Sequence, residues 1–297
     1  STLIELISKA DALIEGYRPG VMEKLGLGPD ECFAKNPKLV YGRITGWGQD
    51  GPLAPRAGHD INYIAITGAL DSIGTAGSGP VPPMNLVGDF GGGGMLIAYG
   101  ICAALLPAKL SGKGTVVDAA MVEGTALLMT MPFSLKAQGL WPSTRGDNLL
   151  DGGAPFYGTY QTADGRWIAL GAIEEPFWQQ LIDGLNLRDP ILESRMDRAS
   201  WPAISALIAE AVRAESRQHW EQVFAGTDAC FAPVLTMEEA PMDAHNMARG
   251  VFEEVGGIVQ PAPAPRYDGQ APQTPATDMR AVDFETVLAE WSGGAIG

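Results

Sequence analysis

Of the three histidines in this 297-residue sequence, only His59 stands in a glycine-flanked polar setting, Ala57-Gly58-His59-Asp60-Ile61-Asn62-Tyr63. An imidazole there suits a general acid-base near neutral pH, and it equally suits a histidine that satisfies a loop carbonyl. His219 and His245 read as surface residues on polar helix faces. Thirty residues after His59 comes Asp89, in Asn85-Leu86-Val87-Gly88-Asp89-Phe90, followed by four glycines and an apolar run. Asp89 fits the cap of the following helix, and it also fits a catalytic carboxylate. The glycines would let a ligand approach the backbone closely, and N–H groups at a helix start can hold an oxyanion. Neither their spacing nor their strand context makes a dinucleotide-binding fingerprint. Glu174, just before Pro176, suits the positive end of a helix dipole. Tyr157 opens a predicted strand, where an aromatic ring is more often core than site.

The elements that must position these residues are legible in part. Short apolar runs at Ala12–Ile14, Leu39–Thr45 and Val116–Asp118 predict strands, and a helix-like stretch at Leu3–Ile7 precedes the first. Parallel strands joined by helices predict α/β architecture. The run Met95–Leu106 is apolar on every side, which predicts a helix buried in a core. Extended to Pro107 it is still too short to span a bilayer. From Gly124 to Asp151 no period is clear, and a connecting arm is expected. Tyr157–Thr162 and Trp167–Gly171, joined through Asp164-Gly165, predict a β-hairpin. Helices are expected from Pro176, over Trp201–Ala214 and over Ser216–Ala225, and the proline-rich Gln260–Pro265 reads as extended. The implied division is a large α/β domain over 1–123, an arm over 124–156, and a small α+β domain over 157–261. Residues 262–297 are expected to return and complete the first domain.

Composition narrows the ligand. With 35 acidic and 20 basic side chains the net charge is −15, which disfavours nucleic acid and anionic membrane surfaces as partners. An anionic small molecule would need a local exception built from a few Arg or Lys residues and helix N-termini. Three well-separated cysteines (Cys32, Cys102, Cys230) without a CxxC pair suit a reducing compartment and suggest no zinc site. No cleavable signal pattern opens the sequence, so a cytoplasmic location is expected.

Three segments carry a resemblance across nearly the whole sequence: Ile14-Glu15-Gly16-Tyr17-Arg18-Pro19-Gly20, Tyr41-Gly42-Arg43-Ile44-Thr45-Gly46-Trp47-Gly48-Gln49, and the acid-plus-glycine stretch after Pro82-Pro83. Together they resemble the family III CoA-transferase superfamily. Gly58-His59-Asp60-Ile61-Asn62-Tyr63, Asn85-Leu86-Val87-Gly88-Asp89 and Leu150-Asp151-Gly152-Gly153-Ala154-Pro155 resemble its alpha-methylacyl-CoA racemase branch in particular.

The resemblance implies that family's fold, with a Rossmann-like large domain and a small α+β domain. It also implies an interlocked homodimer whose sites join the large domain of one subunit to the small domain of the other. The implied reaction is cofactor-independent and metal-free inversion of the α-carbon of a 2-methylacyl-CoA thioester. Inversion removes a proton from one face and returns one to the other, so two acid-base groups are the natural solution. By resemblance these are His59 and Asp89, acting through an enolate that N–H groups at Gly91 and Gly92 would stabilise. Glu174 would hydrogen-bond His59, Tyr157 would line the acyl pocket, and Asp60 and Asn85 would complete the polar shell. Arg18 matches the arginine that meets the CoA phosphates. Lys24 stands where relatives often carry a second arginine, and it lacks the planar fork for bidentate phosphate binding.

Two other functions stay open at this point. One is CoA transfer between carboxylic acids with Asp89 as nucleophile, and the other is a silent CoA-binding or scaffold role. The family pattern also includes elements before the Ala10-Asp11 region that this sequence does not contain, about its first fifth, so an exposed sheet edge and weaker CoA binding are expected.

Overall fold

In the computed structural model, which describes residues 2–142, 144–274 and 284–293, the chain divides into two units, Ser1–Tyr157 with Phe284–Gly297 and Gly158–Asp283. The first unit begins α1 (Thr2–Ile7), β1 (Ala12–Glu15), α2 (Val21–Lys24), α3 (Pro29–Lys35) and β2 (Val40–Thr45). It continues through α4 (Asp60–Ala65), α5 (Ala69–Ser72) and a π-helix (Leu86–Gly94) that runs directly into α6 (Met95–Ser111). Next come β3 (Thr115–Ala120), α7 (Met121–Leu128) and α8 (Thr130–Ala137), and a last helix, Phe284–Gly293, lies beside α1.

The three predicted strands form one parallel sheet in the order β1-β2-β3, with Ala12 opposite Val40 and Val40 opposite Thr115. Parallel neighbours need crossover connections, which the intervening helices supply. The central strand β2 is covered on both faces, as its unbroken apolar run requires: Val40 and Tyr41 have no exposed surface. Tyr41 packs with Met22, Leu27, Cys32 and Leu39 on one face. Val40 meets Ile97, Ile101 and Ala108 of α6 on the other.

Two expectations are corrected here. Helix α6 is not buried all round: Ile97, Ile101 and Ala108 face the sheet, while Met95, Tyr99 and Leu110 are 70%, 73% and 80% exposed. The glycines before it are helical too, so the continuous helix is Leu86–Ser111, 26 residues, long and apolar enough to cross a bilayer by length and composition. In this unit it serves as the last element of the crossover between β2 and β3.

The stretch expected as an arm contains α7 and α8 and groups with the first unit. Its anchor is a contact between two helix backbones. A Cβ on Gly124 would fall 1.9 Å from the Gly92 carbonyl oxygen, and one on Gly92 would fall 2.7 Å from the Thr125 nitrogen. Neither neighbour is a movable side-chain tip. Gly124→Val is therefore expected to destabilise the first unit by about 3 kcal/mol through overpacking. Urea unfolding should show the midpoint falling at unchanged slope.

The second unit holds β4 (Tyr157–Gln161) from its second residue onward, β5 (Trp167–Gly171), α9 (Glu175–Gly184), α10 (Trp201–Arg213), α11 (Arg217–Val223) and β6 (Phe231–Pro233). Its later elements are α12 (Ala244–Arg249), β7 (Phe252–Val255) and β8 (Ile258–Pro261). The predicted hairpin forms, with Gly165 at φ +74° in its turn, and β6 adds antiparallel to β5. Helix α9 starts where Pro176 predicts and buries Trp178 and Leu181, while α10 buries Ile204 and Ile208. Residues 262–274, expected to return to the first domain, group with this second unit. Gln260 and Pro261 of the proline-rich stretch belong to the β7-β8 hairpin.

Candidate active site

The site is built at the carboxyl end of β2, the end at which open α/β sheets bind their ligands. Beyond Thr45 the chain turns, with Thr45 Oγ1 accepting the Gly48 N–H at 3.0 Å. The Trp47 ring meets Tyr63 edge-on, centroids 4.7 Å apart. Tyr63, buried on α4, donates its hydroxyl to the Gly58 carbonyl. This pins the loop that delivers His59 as the N-cap of α4, where the His59 N–H donates to Asn62 Oδ1 at 3.0 Å. His59 is exposed, and Asp60, the first helical residue, is buried.

Asp89 is half-buried within the π-helix, and Asn85 Nδ2 donates to its Oδ2 at 3.3 Å. The helix starts at Leu86, earlier than the glycine run indicates. The Phe90 N–H reaches back five residues to the Asn85 carbonyl, and the Met95 N–H to that of Phe90. Such wide turns are rare, appear as single turns more often than as nine residues, and cluster at functional sites. The start explains two corrections. Asp89 is inside the helix and is not its cap. Gly91 and Gly92 are also interior, where N–H groups pair with carbonyls five residues back, so they are not the free helix-start donors expected for an oxyanion.

Two of the free donors at that helix start already share an acceptor. Asp60 Oδ2 takes the N–H of Gly88 and of Asp89, each at 2.7 Å. A single carboxylate next to His59 thus ties the His59 loop to the helix that carries Asp89. The Tyr63 phenol is pushed above its ordinary value, first by burial and then by the Asp89 carboxylate, while Arg18 acts in the opposite direction. Asp89 and Arg18 therefore both act on the same buried ring.

His59 opens onto a cleft of 330 Å³ whose walls include Arg18, Pro19, Trp47, Arg56 and Tyr63. Two arginines lining one cleft supply the local exception that an anionic ligand of an acidic protein requires. Arg56 is absent from the sequence-based candidates. Lys24 ends α2 and is not among the residues lining this cleft. Tyr157 closes the first unit at 37% exposure. Glu174 lies in the second unit as the exposed N-cap of α9, its carbonyl accepting the Phe177 and Trp178 N–H groups.

Sequence reasoning also missed a buried ion cluster. Arg43 Nε meets Glu15 Oε1 at 2.8 Å, and its Nη2 meets Glu23 Oε1 at 2.8 Å. The other Glu15 oxygen accepts the Tyr17 N–H at 2.8 Å and so fixes the turn that presents Arg18. The available signal was a lone arginine inside an apolar strand, since buried charges are almost always paired. In the Leu150–Pro155 segment Asp151 accepts N–H groups from Gly146 at 2.9 Å and Asn148 at 2.7 Å, and the Asn148 side-chain amide at 2.6 Å.

This mixed α/β fold is that of a known family: the chain belongs to CoA-transferase family III, whose model matches residues 1–281. Within the family the chain is 47% identical over 266 residues to the alpha-methylacyl-CoA racemase of Mus musculus, covering 89% of this chain and 70% of that protein. Identity to the alpha-methylacyl-CoA racemase of Homo sapiens is also 47%, over 268 residues, with the same coverage of 89% and 70%. The crystal structure of a CAIB/BAIF family protein from Brucella suis shares the fold, with a TM-score of 0.78 at 23% identity over 98% of this chain and 78% of that one. The expected fold class and the resemblance to the racemase branch are both borne out.

Proposed function

We propose that this chain is an isomerase that inverts the α-carbon of 2-methylacyl-CoA thioesters by two-base proton transfer. The observation that carries the reading is the Asp60 carboxylate, which links the loop of one candidate base to the helix of the other. The 47% identity to racemases supports it. One of His59 and Asp89 takes the α-proton, leaving an enolate, and the conjugate acid of the other returns a proton to the opposite face. When His59 is the acceptor, the imidazolium it becomes lies beside the new negative charge and stabilises it. Asn85 keeps Asp89 oriented through its amide. In the interlocked homodimer of this proposal, Glu174 of the small domain holds the His59 ring and Tyr157 lines the acyl pocket. The reading needs no cofactor beyond the CoA carried by the substrate and sets the enzyme in the cytoplasm.

Arg18 and Arg56 are assigned to the CoA phosphates, in place of the pair Arg18 and Lys24. Arg18→Ala and Arg56→Ala should each raise the Kd for CoA about tenfold, the effect shrinking at high salt, while Lys24→Ala changes it little. Titration calorimetry at two ionic strengths checks this, and an equal loss from Lys24→Ala would reject the assignment.

The reaction itself is tested with a single enantiomer of a 2-methylacyl-CoA in D₂O without an acceptor acid. Deuterium should enter the α-carbon as the configuration inverts. A hydroxylamine-trapped adduct at Asp89, seen only with a carboxylic acid acceptor, would instead establish CoA transfer. A folded sample that does neither would be a silent binder.

A further inference from the structure

We infer that Asp60 is a positioning residue for Asp89, rather than a group that binds substrate. The inference rests on the two-base reading above. Asp60 is only 5% exposed, and its Oδ2 is spent on the backbone N–H groups of Gly88 and Asp89. Its Oδ1 is buried, with no hydrogen-bond partner among the described residues. The side chain therefore presents no polar atom toward the cleft.

The first N–H groups of a helix have no partners within it, and a carboxylate accepting two of them makes short, charge-assisted bonds. Here those donors include the backbone nitrogen of the candidate base itself. The acceptor is the chain neighbour of the other base. The path from the His59 backbone to that of Asp89 is thus one peptide unit, one short side chain and one hydrogen bond. Separation of the two bases is set by Asp60, and a misplacement of about 1 Å in such a constellation can cost roughly a hundredfold in rate.

Two substitutions act on this link from opposite sides. Asp60→Ala removes the acceptor. Gly88→Ala leaves Asp60 in place but puts a Cβ 2.6 Å from its Oδ2 and 2.9 Å from its Cγ, which pushes the carboxylate off. Asp60→Asn keeps one oxygen able to accept both N–H groups and serves as the conservative variant.

Each protein is given each enantiomer in D₂O, and inversion and α-proton exchange are followed separately, with Asp89→Asn as the reference for loss of one base. Asp60→Ala and Gly88→Ala should lower kcat for inversion about a hundredfold with KM little changed, while Asp60→Asn stays within about threefold of the parent. The discriminating readout is exchange. Both disruptive variants should still exchange, with retention, the same single enantiomer that Asp89→Asn exchanges, because the His59 side of the site is intact. Equal loss of exchange from both enantiomers in a variant that still unfolds cooperatively would overturn the inference, as would a rise in KM at constant kcat. If Asp60→Ala does not fold, Gly88→Ala and Asp60→Asn still give the comparison. A parent protein that exchanges neither enantiomer would sink the two-base reading and this inference with it, whereas exchange in the parent with the wrong pattern in the variants sinks the inference alone.

Discussion

Asp89→Asn and His59→Gln should each cut inversion severely while leaving one enantiomer, a different one for each variant, able to trade its α-proton with solvent. Removing a positioned acid-base group typically costs 10²–10⁴ in rate, and a fall of about a thousandfold is expected for each. Both substitutions nearly preserve shape. His59 is exposed and Asp89 half-buried, so neither change opens a cavity. The remaining base can still remove the proton on its own side and return a solvent-exchanged one to the same face. Proton NMR of α-proton loss, run beside a chiral separation of the recovered thioester, reads the two events independently. Near-parental inversion by either variant would reject the pairing of these two groups. Exchange of the same enantiomer by both would show that they act on one face.

Arg43→Met should be the most destabilising single change among the charged residues, by about 3–5 kcal/mol, because it leaves a carboxylate buried without its counter-charge. The Glu15 side chain is 3% exposed and that of Arg43 9%, so water cannot take over the role of the guanidinium. Glu23, with a side chain 43% exposed, can turn to solvent and loses less. The urea midpoint measures the loss, and Glu15→Gln in the Arg43→Met background should recover part of it by removing the stranded charge. The effect reaches the cleft as well. Glu15 also accepts the Tyr17 N–H, so CoA affinity should fall even in the fraction that is folded. A midpoint within 0.5 kcal/mol of the parent's, the size of an ordinary surface substitution, would show that the cluster is not a buried ion network.

Local pattern announced much of the fold. The strands at Ala12, Val40 and Thr115, the hairpin around Gly165 and the helices at Glu175, Trp201 and Arg217 all carry period or turn chemistry that short windows reveal. The glycine run misled because it reads as the first, open turn of the following helix, and what places it in the helix interior is packing: Gly92 and Gly93 are buried against α7. Helices α7 and α8 were missed because their Met, Leu and Pro residues show no clean stripe. Helix α6 was expected to be covered on all sides because composition reports how oily a segment is, not how many neighbours it has. His59 and Asp89 were legible as residue types with suitable chemistry. The ties that organise the site were not, since Asp60 meets Gly88 across 28 residues and Arg43 meets Glu15 across the same distance. Contacts at that range follow from strand order, which no window of sequence contains.

The wide-turned glycine helix also limits how this protein can be engineered for heat resistance. Methyl groups added to mid-helix glycines ordinarily gain about 0.5–1 kcal/mol. At Gly92 and Gly93 the added carbon would sit 2.7 Å from the Thr125 nitrogen and 2.9 Å from Met121 Cγ. Consensus-style glycine replacement would therefore push α7 away from the segment bearing Asp89, and gains in melting temperature must be sought on other surfaces of the molecule.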